Sequence, residues 1–222
     1  MTAMFVWRDE SGAPCTIIKN ALDLNGCDNL IKQLKGDTEP GTHIEQDGSV
    51  TTGHNEQRNS DVSWFNDVDL HNTIRGFVDV VNYECGWRYD IVDSEMLQFT
   101  VYDGAKKQHY DWHTDGQCDH NCARKSSHFH KPEHLNLMYT SQTNLLGTVR
   151  KISVSAILND NYEGGEMLFR FLNEKSELAE IAIQPKKGDL VIFPSYLDHK
   201  VAPVTKGIRY SVVAWFGGPP FK

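Results

Sequence analysis

The second half of the chain is a series of short apolar segments, and this series restricts the possible folds more than any other feature. After residue 94, apolar and polar residues alternate over short stretches that turn-forming residues separate. Alternation with a period of two is typical of β-strands that bury one face. The eight segments lie at 94–102, 108–115, 150–160, 166–172, 177–184, 190–195, 198–204 and 208–216. Closely spaced strands of this kind predict a sandwich or a barrel.

The first 94 residues carry helical patterns instead. Segments 23–36 and 66–86 are predicted to be helices, and in the second one Ile74, Val78 and Val81 recur with the spacing of one helical face. Helices that precede a sheet favour an α+β, mainly β fold, in which the helices support one outer face of a jelly roll.

We predict a single domain over residues 1–222. Its helical support covers about 1–94, its β core covers about 95–222, and a long insertion covers about 116–149.

Composition excludes several classes of partner. The 222 residues include 22 Lys and Arg against 30 Asp and Glu, a net charge of −8 that disfavours nucleic acid as a partner. No apolar run approaches the roughly 18 residues that cross a bilayer, and the first residues do not resemble a secretion signal. The five cysteines are odd in number and scattered, which suits a reducing compartment. We therefore expect a cytoplasmic protein without a membrane partner, and the oligomeric state stays open.

Two histidines and one aspartate form a candidate metal site. On a strand, His113 and Asp115 point to the same side, whereas on a helix two residues at this spacing share no face. A surface ion pair is the alternative interpretation of these two residues alone. His199 adds a second imidazole, and two imidazoles with one carboxylate leave open positions on the ion, as in non-haem Fe(II) oxygenases. Zinc would more typically take three His or add Cys.

Arg209 follows His199 by ten residues. We expect segments 198–204 and 208–216 to pair as a hairpin, which would place Arg209 about 10 Å along the sheet from His199 at roughly 3.3 Å per residue. That separation suits a short dicarboxylate with one end on the metal, because a guanidinium holds a carboxylate by two parallel hydrogen bonds. An ordinary cross-strand ion pair is the alternative for Arg209.

The chain resembles the 2-oxoglutarate and Fe(II)-dependent oxygenases, and within them the prolyl 4-hydroxylase-like group. The resemblance rests on the order and spacing of YDWHTD (110–115), RKISVSAILND (150–160), YEGGE (162–166), KKGDLVIFPSYLDHKVAPVTKG (186–207) and RYSVVAWF (209–216). It implies a double-stranded β-helix, which is another name for the jelly roll.

The resemblance also implies the ligands and the catalytic residues. Fe(II) would be held by His113, Asp115 and His199, and 2-oxoglutarate would chelate the iron while Arg209 pairs with its far carboxylate. Oxygen would then convert this cosubstrate to succinate and CO2 while the substrate is hydroxylated. Ascorbate is a further cofactor that the resemblance allows.

Other roles follow from the same resemblance. Tyr102 would contact the cosubstrate, whereas Tyr110, Arg150 and Trp215 would lie on the substrate side, with a core role as the alternative for Trp215.

Three features depart from the pattern of similar proteins. Many prolyl hydroxylases carry Lys at the position of Arg209. A hydroxyl-bearing residue that helps to hold the far carboxylate is replaced by Ile157, which leaves Ser211 or Ser155 as substitutes.

The third departure is the long insertion, which is rich in possible metal ligands. These are Cys118, His120, Cys122, His128, His130 and His134. Their spacing fits no standard zinc finger, so we do not expect a second zinc site and interpret the insertion as a polar lid.

The expected function is hydroxylation of proline residues in a peptide or protein. The alternatives are the same chemistry on a small metabolite or another side chain, and a non-catalytic jelly-roll metal-binding module. Substrate choice resides in loops whose shapes the sequence does not specify.

Overall fold

The structure, a computed structural model, describes residues 4–6, 14–44, 50–116, 145, 147–173 and 175–221. Most of the 116–149 insertion, including its six Cys and His residues, lies outside the described residues. Two statements about the insertion therefore stay predictions: that it is a polar lid, and that its Cys and His residues do not form a second zinc site. The division of the chain into a single domain is also a prediction.

Two α-helices occur in the described residues, and each begins after a capping aspartate. The side chain of Asp23 accepts a hydrogen bond from the backbone of Gly26 at the start of α1 (Leu24–Leu34). Asp67 does the same for Leu70 at the start of α2 (Val68–Glu84). An acceptor at this position satisfies a backbone N–H that has no partner within the helix. Both helices lie where the sequence predicts them.

The strands form two main antiparallel sheets. In spatial order, the larger sheet contains β1 (Met4–Val6), β2 (Thr16–Lys19), β15 (Leu190–Pro194), β11 (Val149–Ile157), β18 (Ile208–Gly218), β9 (Leu97–Asp103), β7 (Asp61–Phe65) and β3 (Glu39–Pro40), with β8 (Asp93–Ser94) beside β18. The smaller sheet contains β14 (Leu178–Ile183), β13 (Met167–Leu172), β16 (Asp198–Val201), β10 (His109–His113) and β6 (Arg58–Asn59). Two further pairs are β12 (Glu163–Gly164) with β17 (Val204–Lys206) and β4 (Thr42–Ile44) with β5 (Val50–Thr52).

All eight strands predicted after residue 94 are present, and the mainly β jelly-roll fold is confirmed. The first 94 residues contribute more β-structure than the predicted helical support, because β1 to β8 also fall there. Neither helix of the described chain has the length and apolar character that a membrane span requires.

Two apolar layers flank the larger sheet. On one face, Ile74 and Val78 of α2 pack with Phe99, Val154 and Phe216 of the sheet. On the other face, a second cluster fills the space toward the smaller sheet, with Phe169, Phe193 and Val201 among its members. The helices therefore support one outer face of the jelly roll, as the sequence predicts, and the second cluster lies inside it.

The predicted hairpin between the strands of His199 and Arg209 is wrong. Strand β16, with His199, pairs with β10 and β13, whereas β18, with Arg209, pairs with β9 and β11. Between them β17 pairs with β12, so the chain passes from the smaller sheet to the larger one instead of turning back on itself. His199 and Arg209 therefore belong to different sheets, and their distance is not set by a count of residues along one sheet.

Candidate metal centre

His113 and His199 are direct neighbours on adjacent strands. His113 is the last residue of β10, and the ladder with β16 places it opposite His199 with the ring centroids 4.2 Å apart. Asp115 lies just beyond the end of the strand, where its backbone N–H donates to the carbonyl of Ser195 at 2.9 Å. Strand alternation alone thus does not orient Asp115, because the chain bends there.

The three side chains converge on one point. One carboxylate oxygen of Asp115 lies 3.8 Å from His113 Nε2, and the other lies 3.5 Å from His199 Nε2. One ligand atom from each residue lies within 4.8 Å of the others, and the described residues hold no other such group. The three residues are therefore close enough to bind one ion together, which a surface ion pair between His113 and Asp115 would not explain.

Each imidazole is oriented by a backbone carbonyl. His113 Nδ1 lies 2.7 Å from the carbonyl oxygen of Asp111, and His199 Nδ1 lies 2.9 Å from that of Leu197. A carbonyl only accepts, so each Nδ1 carries the proton and each Nε2 keeps its lone pair for a metal. Hydrogen bonds of this kind fix the tautomer of metal-binding histidines and restrain their rings at the Nδ1 end.

The charge states also suit a cation. Burial, with the neighbouring His199, lowers the pKa of His113 to about 3 against the opposing effect of Asp115. Burial acts to raise the pKa of Asp115, but His199, His113, Arg150 and a hydrogen bond from Ser153 together lower it to about 2. At neutral pH the site thus offers a neutral His113 and an ionised carboxylate, the forms that bind metal ions.

Arg209 lies inside the jelly roll and is only 1% exposed. Its Nη1 donates to Ser211 Oγ at 3.0 Å, and its guanidinium lies 5.4 Å from the ring centroid of Tyr102, its neighbour across the strand pair. Its Nε and Nη2 are buried without a hydrogen-bond partner, and no carboxylate in the described part of the chain pairs with it. The alternative of an ordinary cross-strand ion pair is therefore wrong. Unpaired buried donors are costly and rare, so they indicate an acceptor that comes from a ligand.

A glycine makes room for the Arg209 side chain. Gly165 has a φ of +67°, and a Cβ there would lie 3.1 Å from Arg209 Cδ and 3.2 Å from Tyr162 Cε2. The hydroxyl of Tyr162 is itself buried without a partner. The YEGGE motif thus brings the ring of Tyr162 and the stem of Arg209 to the same glycine.

On β9, β11 and β18, the interior face of the larger sheet carries several polar side chains. Residues of β9, β11 and β18 that face the helices are apolar, such as Phe99, Val154 and Val212. The alternate positions on these strands carry buried polar side chains, namely Gln98, Thr100, Ser153, Ser155 and Ser211. Most of these side chains are short, so the interior is suited to a small polar ligand. Ser211 lies opposite Ile157 on the neighbouring strand and contacts Arg209, which favours it over Ser155 as the substitute hydroxyl.

Three residues were predicted to lie on the substrate side, namely Tyr110, Arg150 and Trp215. The guanidinium of Arg150 already has a protein partner, Glu95. Its Nε and Nη2 donate to the two carboxylate oxygens of Glu95 at 2.5 and 2.8 Å. Its guanidinium also lies 4.1 Å from the ring centroid of Trp215, and its Nη1 reaches the carbonyl of Asp115 at 3.4 Å. Trp215 keeps a buried Nε1 without a partner. Tyr110 stacks on His113 with 3.5 Å between the ring centroids.

Sequence reasoning missed three residues of this region. Neither Glu95 nor Arg58 was assigned a role, since an isolated charged residue is ordinarily a solvated group. Only their burial, to 6% and 8% exposure, sets them apart. Tyr162 is the first residue of the YEGGE motif, and its place in that motif could have indicated it.

Two histidines and one carboxylate that converge on one point are the ligand set of the non-haem iron oxygenase class, and the same jelly roll also holds a buried guanidinium with unpaired donors. The family model of the 2OG-Fe(II) oxygenase superfamily matches residues 97–217. The chain belongs to this superfamily, which implies Fe(II), 2-oxoglutarate and O2 as its cofactor and cosubstrates. The three ligands and Arg209 fit these groups.

Known proteins similar to this chain include hydroxylases. Human prolyl 3-hydroxylase 2 is 39% identical over 71 residues, which are 31% of this chain and 10% of that protein. A PKHD-type hydroxylase of Xylella fastidiosa strain M12 is 41% identical over 66 residues, or 29% of this chain and 26% of that protein. The chain thus matches only a tenth to a quarter of the length of these relatives.

Solved structures show the same fold at low identity. A viral collagen prolyl hydroxylase from Paramecium bursaria Chlorella virus 1 has a TM-score of 0.59 at 20% identity, covering 93% of this chain and 97% of that chain. A Trichoplax adhaerens prolyl hydroxylase, solved with a hypoxia inducible factor peptide fragment, has a TM-score of 0.61 at 20% identity, covering 91% and 83%.

Proposed function

We propose that the protein is a 2-oxoglutarate- and Fe(II)-dependent dioxygenase that hydroxylates proline residues in a peptide or protein and forms succinate and CO2. The observation that carries this proposal is the combination of the three converging ligands with the unpaired donors of Arg209. A binding module for metal alone would not need a buried guanidinium, because that group does not bind cations. The donors instead suit the far carboxylate of a dicarboxylate.

Each residue has one part in this proposal. His113, Asp115 and His199 hold the iron, and Arg209 is the anchor for the cosubstrate. Ser211 orients Arg209 through its hydrogen bond, and Tyr102 lies beside the guanidinium. When bound, iron and 2-oxoglutarate supply the oxidising chemistry.

The protein excludes water from this chemistry. The aromatic rings of Phe193 and Phe169 lie 4.6 and 6.1 Å from the imidazole of His199, and Tyr110 covers His113. An apolar surround strengthens electrostatic interactions and limits side reactions of a reactive centre.

The substrate proposal rests on two supports. The named relatives and neighbours are prolyl hydroxylases or PKHD-type hydroxylases. Tyr110 stacks on the metal ligand His113, and Trp215 lies against Arg150, whose Nη1 reaches the carbonyl of Asp115. Both rings thus belong to the surroundings of the metal centre, and aromatic side chains pack well against a proline ring. Arg150 would stabilise this wall rather than reach the substrate with a free guanidinium, because Glu95 holds it on two sides. We also propose that ascorbate serves as a reductant and that the protein is cytoplasmic.

The test is incubation of the protein with Fe(II), 2-oxoglutarate and a panel of proline-rich peptides. We expect succinate to form and one peptide to gain one oxygen atom on a proline, as measured by tandem mass spectrometry. Asp115→Ala should abolish both signals. Asp111→Ala is the matched control, since its side chain is exposed and the carbonyl that holds His113 is kept.

The outcomes separate the alternatives. Succinate without any modified proline would reject the peptide-proline substrate and leave a metabolite or another side chain. Absence of both succinate and metal binding in the unaltered protein would reject the oxygenase proposal itself.

A further inference from the structure

Arg58 is a buried arginine next to the metal centre with no role in the proposed reaction so far. It begins β6, where it pairs in register with Tyr110 of β10. Its Nε donates to Ser60 Oγ and its Nη2 to Gln98 Oε1, both at 3.0 Å. These bonds fix the plane of the guanidinium, whose central carbon lies 4.8 Å from the ring centroid of Tyr110.

Tyr110 in turn contacts a metal ligand. Its ring lies nearly parallel to the imidazole of His113, with 3.5 Å between the centroids and 10° between the planes. Residues three apart on a regular strand point to opposite faces. The strand register shifts between Tyr110 and His113, and such an irregularity re-aims side chains, so both rings lie on the same side. The result is a continuous stack of Arg58, Tyr110 and His113.

The backbone leaves the Arg58 guanidinium little freedom. A Cβ on Gly41 would lie 2.7 Å from Arg58 Nε and 3.0 Å from its Cζ. Gly41 is itself held by its N–H, which donates to the carbonyl of Ser60 at 2.8 Å. A side chain at position 41 would therefore displace the guanidinium from its place over Tyr110.

We propose that Arg58 is a positioning residue for His113, and that it acts through Tyr110 by holding the tyrosine ring against the imidazole. A single hydrogen bond from Nδ1 to the carbonyl of Asp111 leaves the imidazole free to tilt about that bond. The stacked tyrosine removes this tilt and so fixes where Nε2 points. The proposal rests on the proposed iron site, because only a metal at His113 requires this orientation.

The test measures metal binding rather than turnover. Co(II), whose visible spectrum reports ligand geometry, is titrated anaerobically into the metal-free protein and into Arg58→Met, Arg58→Lys and Gly41→Ala. We expect the dissociation constant of Arg58→Met to rise about tenfold, the lower end of the ~10–100-fold cost of losing groups that orient metal ligands, and the spectrum to change. Arg58→Lys keeps a cation over the ring and should restore part of the affinity.

Gly41→Ala is the sharper variant, because it changes no residue of the stack and only displaces the Arg58 guanidinium. It should alter the Co(II) spectrum in the same direction as Arg58→Met, and it carries the test if Arg58→Met does not fold. Arg75→Met, which removes an arginine on the surface of α2 paired with Asp79, is the control and should match the unaltered protein.

The two proposals fail differently. If the unaltered protein binds Co(II) and both Arg58→Met and Gly41→Ala bind it with unchanged affinity and spectrum, the positioning role is wrong and the iron site stands. If the unaltered protein binds no Co(II), the proposed metal site is wrong as well.

Discussion

Replacing Arg209 with methionine should change ligand affinity and protein stability in opposite directions. Methionine fills similar space but removes the guanidinium, including the two donors that are buried without partners. In the ligand-free protein these donors cost stability, whereas with 2-oxoglutarate bound they would pair with its carboxylate. The same atoms are thus unfavourable in one state and favourable in the other.

The expected magnitudes follow from the hydrogen bonds. A hydrogen bond to a charged group contributes about 1.5–3 kcal/mol, so loss of one bond should weaken 2-oxoglutarate binding roughly 10- to 150-fold. Each of the two buried unpaired donors costs about 1–3 kcal/mol, so removing both relieves roughly 2–6 kcal/mol. The bond from the charged Nη1 to Ser211 is also lost, which offsets about 1.5–3 kcal/mol of that gain. We therefore expect the free energy of unfolding to rise by about 1 to 2 kcal/mol in the absence of ligand.

Two measurements check this prediction. Urea unfolding of the ligand-free protein gives the change in stability, and calorimetric titration of 2-oxoglutarate into the Mn(II)-loaded protein gives the change in affinity. Arg75→Met removes a partly exposed guanidinium that pairs with Asp79 along the same helix, and it should change neither quantity by more than a few tenths of a kcal/mol. A variant of Arg209 that binds 2-oxoglutarate as tightly as the unaltered protein would place the cosubstrate elsewhere. A variant that is much less stable would mean that the two donors have partners in solution.

Two further predictions concern the surroundings of the site. Glu95→Gln removes the buried charge that pairs with half-buried Arg150, so the free energy of unfolding should fall by about 3 kcal/mol. The double variant Glu95→Gln with Arg150→Met should recover most of this loss in urea unfolding, and a single variant of unchanged stability would contradict the pairing. Burial lowers the pKa of His71 below its usual value, so the unfolded chain binds more protons than the folded one below about pH 6.5. Stability should therefore fall as the pH drops from neutral to about 5.5, and His71→Asn should lose part of this dependence; an identical pH profile for the two proteins would show that His71 does not contribute.

The strands and the ligand positions were predictable because their signals are local. A strand that buries one face shows alternating apolar and polar residues in its own sequence. This pattern located the strands after residue 94 to within a few residues. His113 and Asp115 are two residues apart, so their convergence depends on a short stretch of backbone. His199, which lies far away in the sequence, was predicted as the third ligand from the order of the motifs along the chain. That order carries long-range information, which the spacing of two residues does not.

The partners of the strands were not predictable in the same way. Segments 198–204 and 208–216 are separated by a short turn and look like a hairpin, but β16 pairs instead with β10 and β13 on the smaller sheet. A jelly roll distributes consecutive strands over two sheets, and this choice depends on contacts between residues far apart in sequence. Glu95 was missed for the same reason, because its partner Arg150 lies 55 residues away.

The charges of the site suggest why the two ligands should bind together. Asp115 carries one negative charge at the metal position, and Arg209 carries one positive charge at the anchor position. A divalent cation alone would leave an excess positive charge in a buried site, and a dianion alone would leave an excess negative charge, each with a large desolvation cost. The two together leave the site neutral, with each ligand next to a group of opposite sign. Burial of Arg209 without a protein carboxylate is therefore consistent with a site whose charge balance is completed by its ligands.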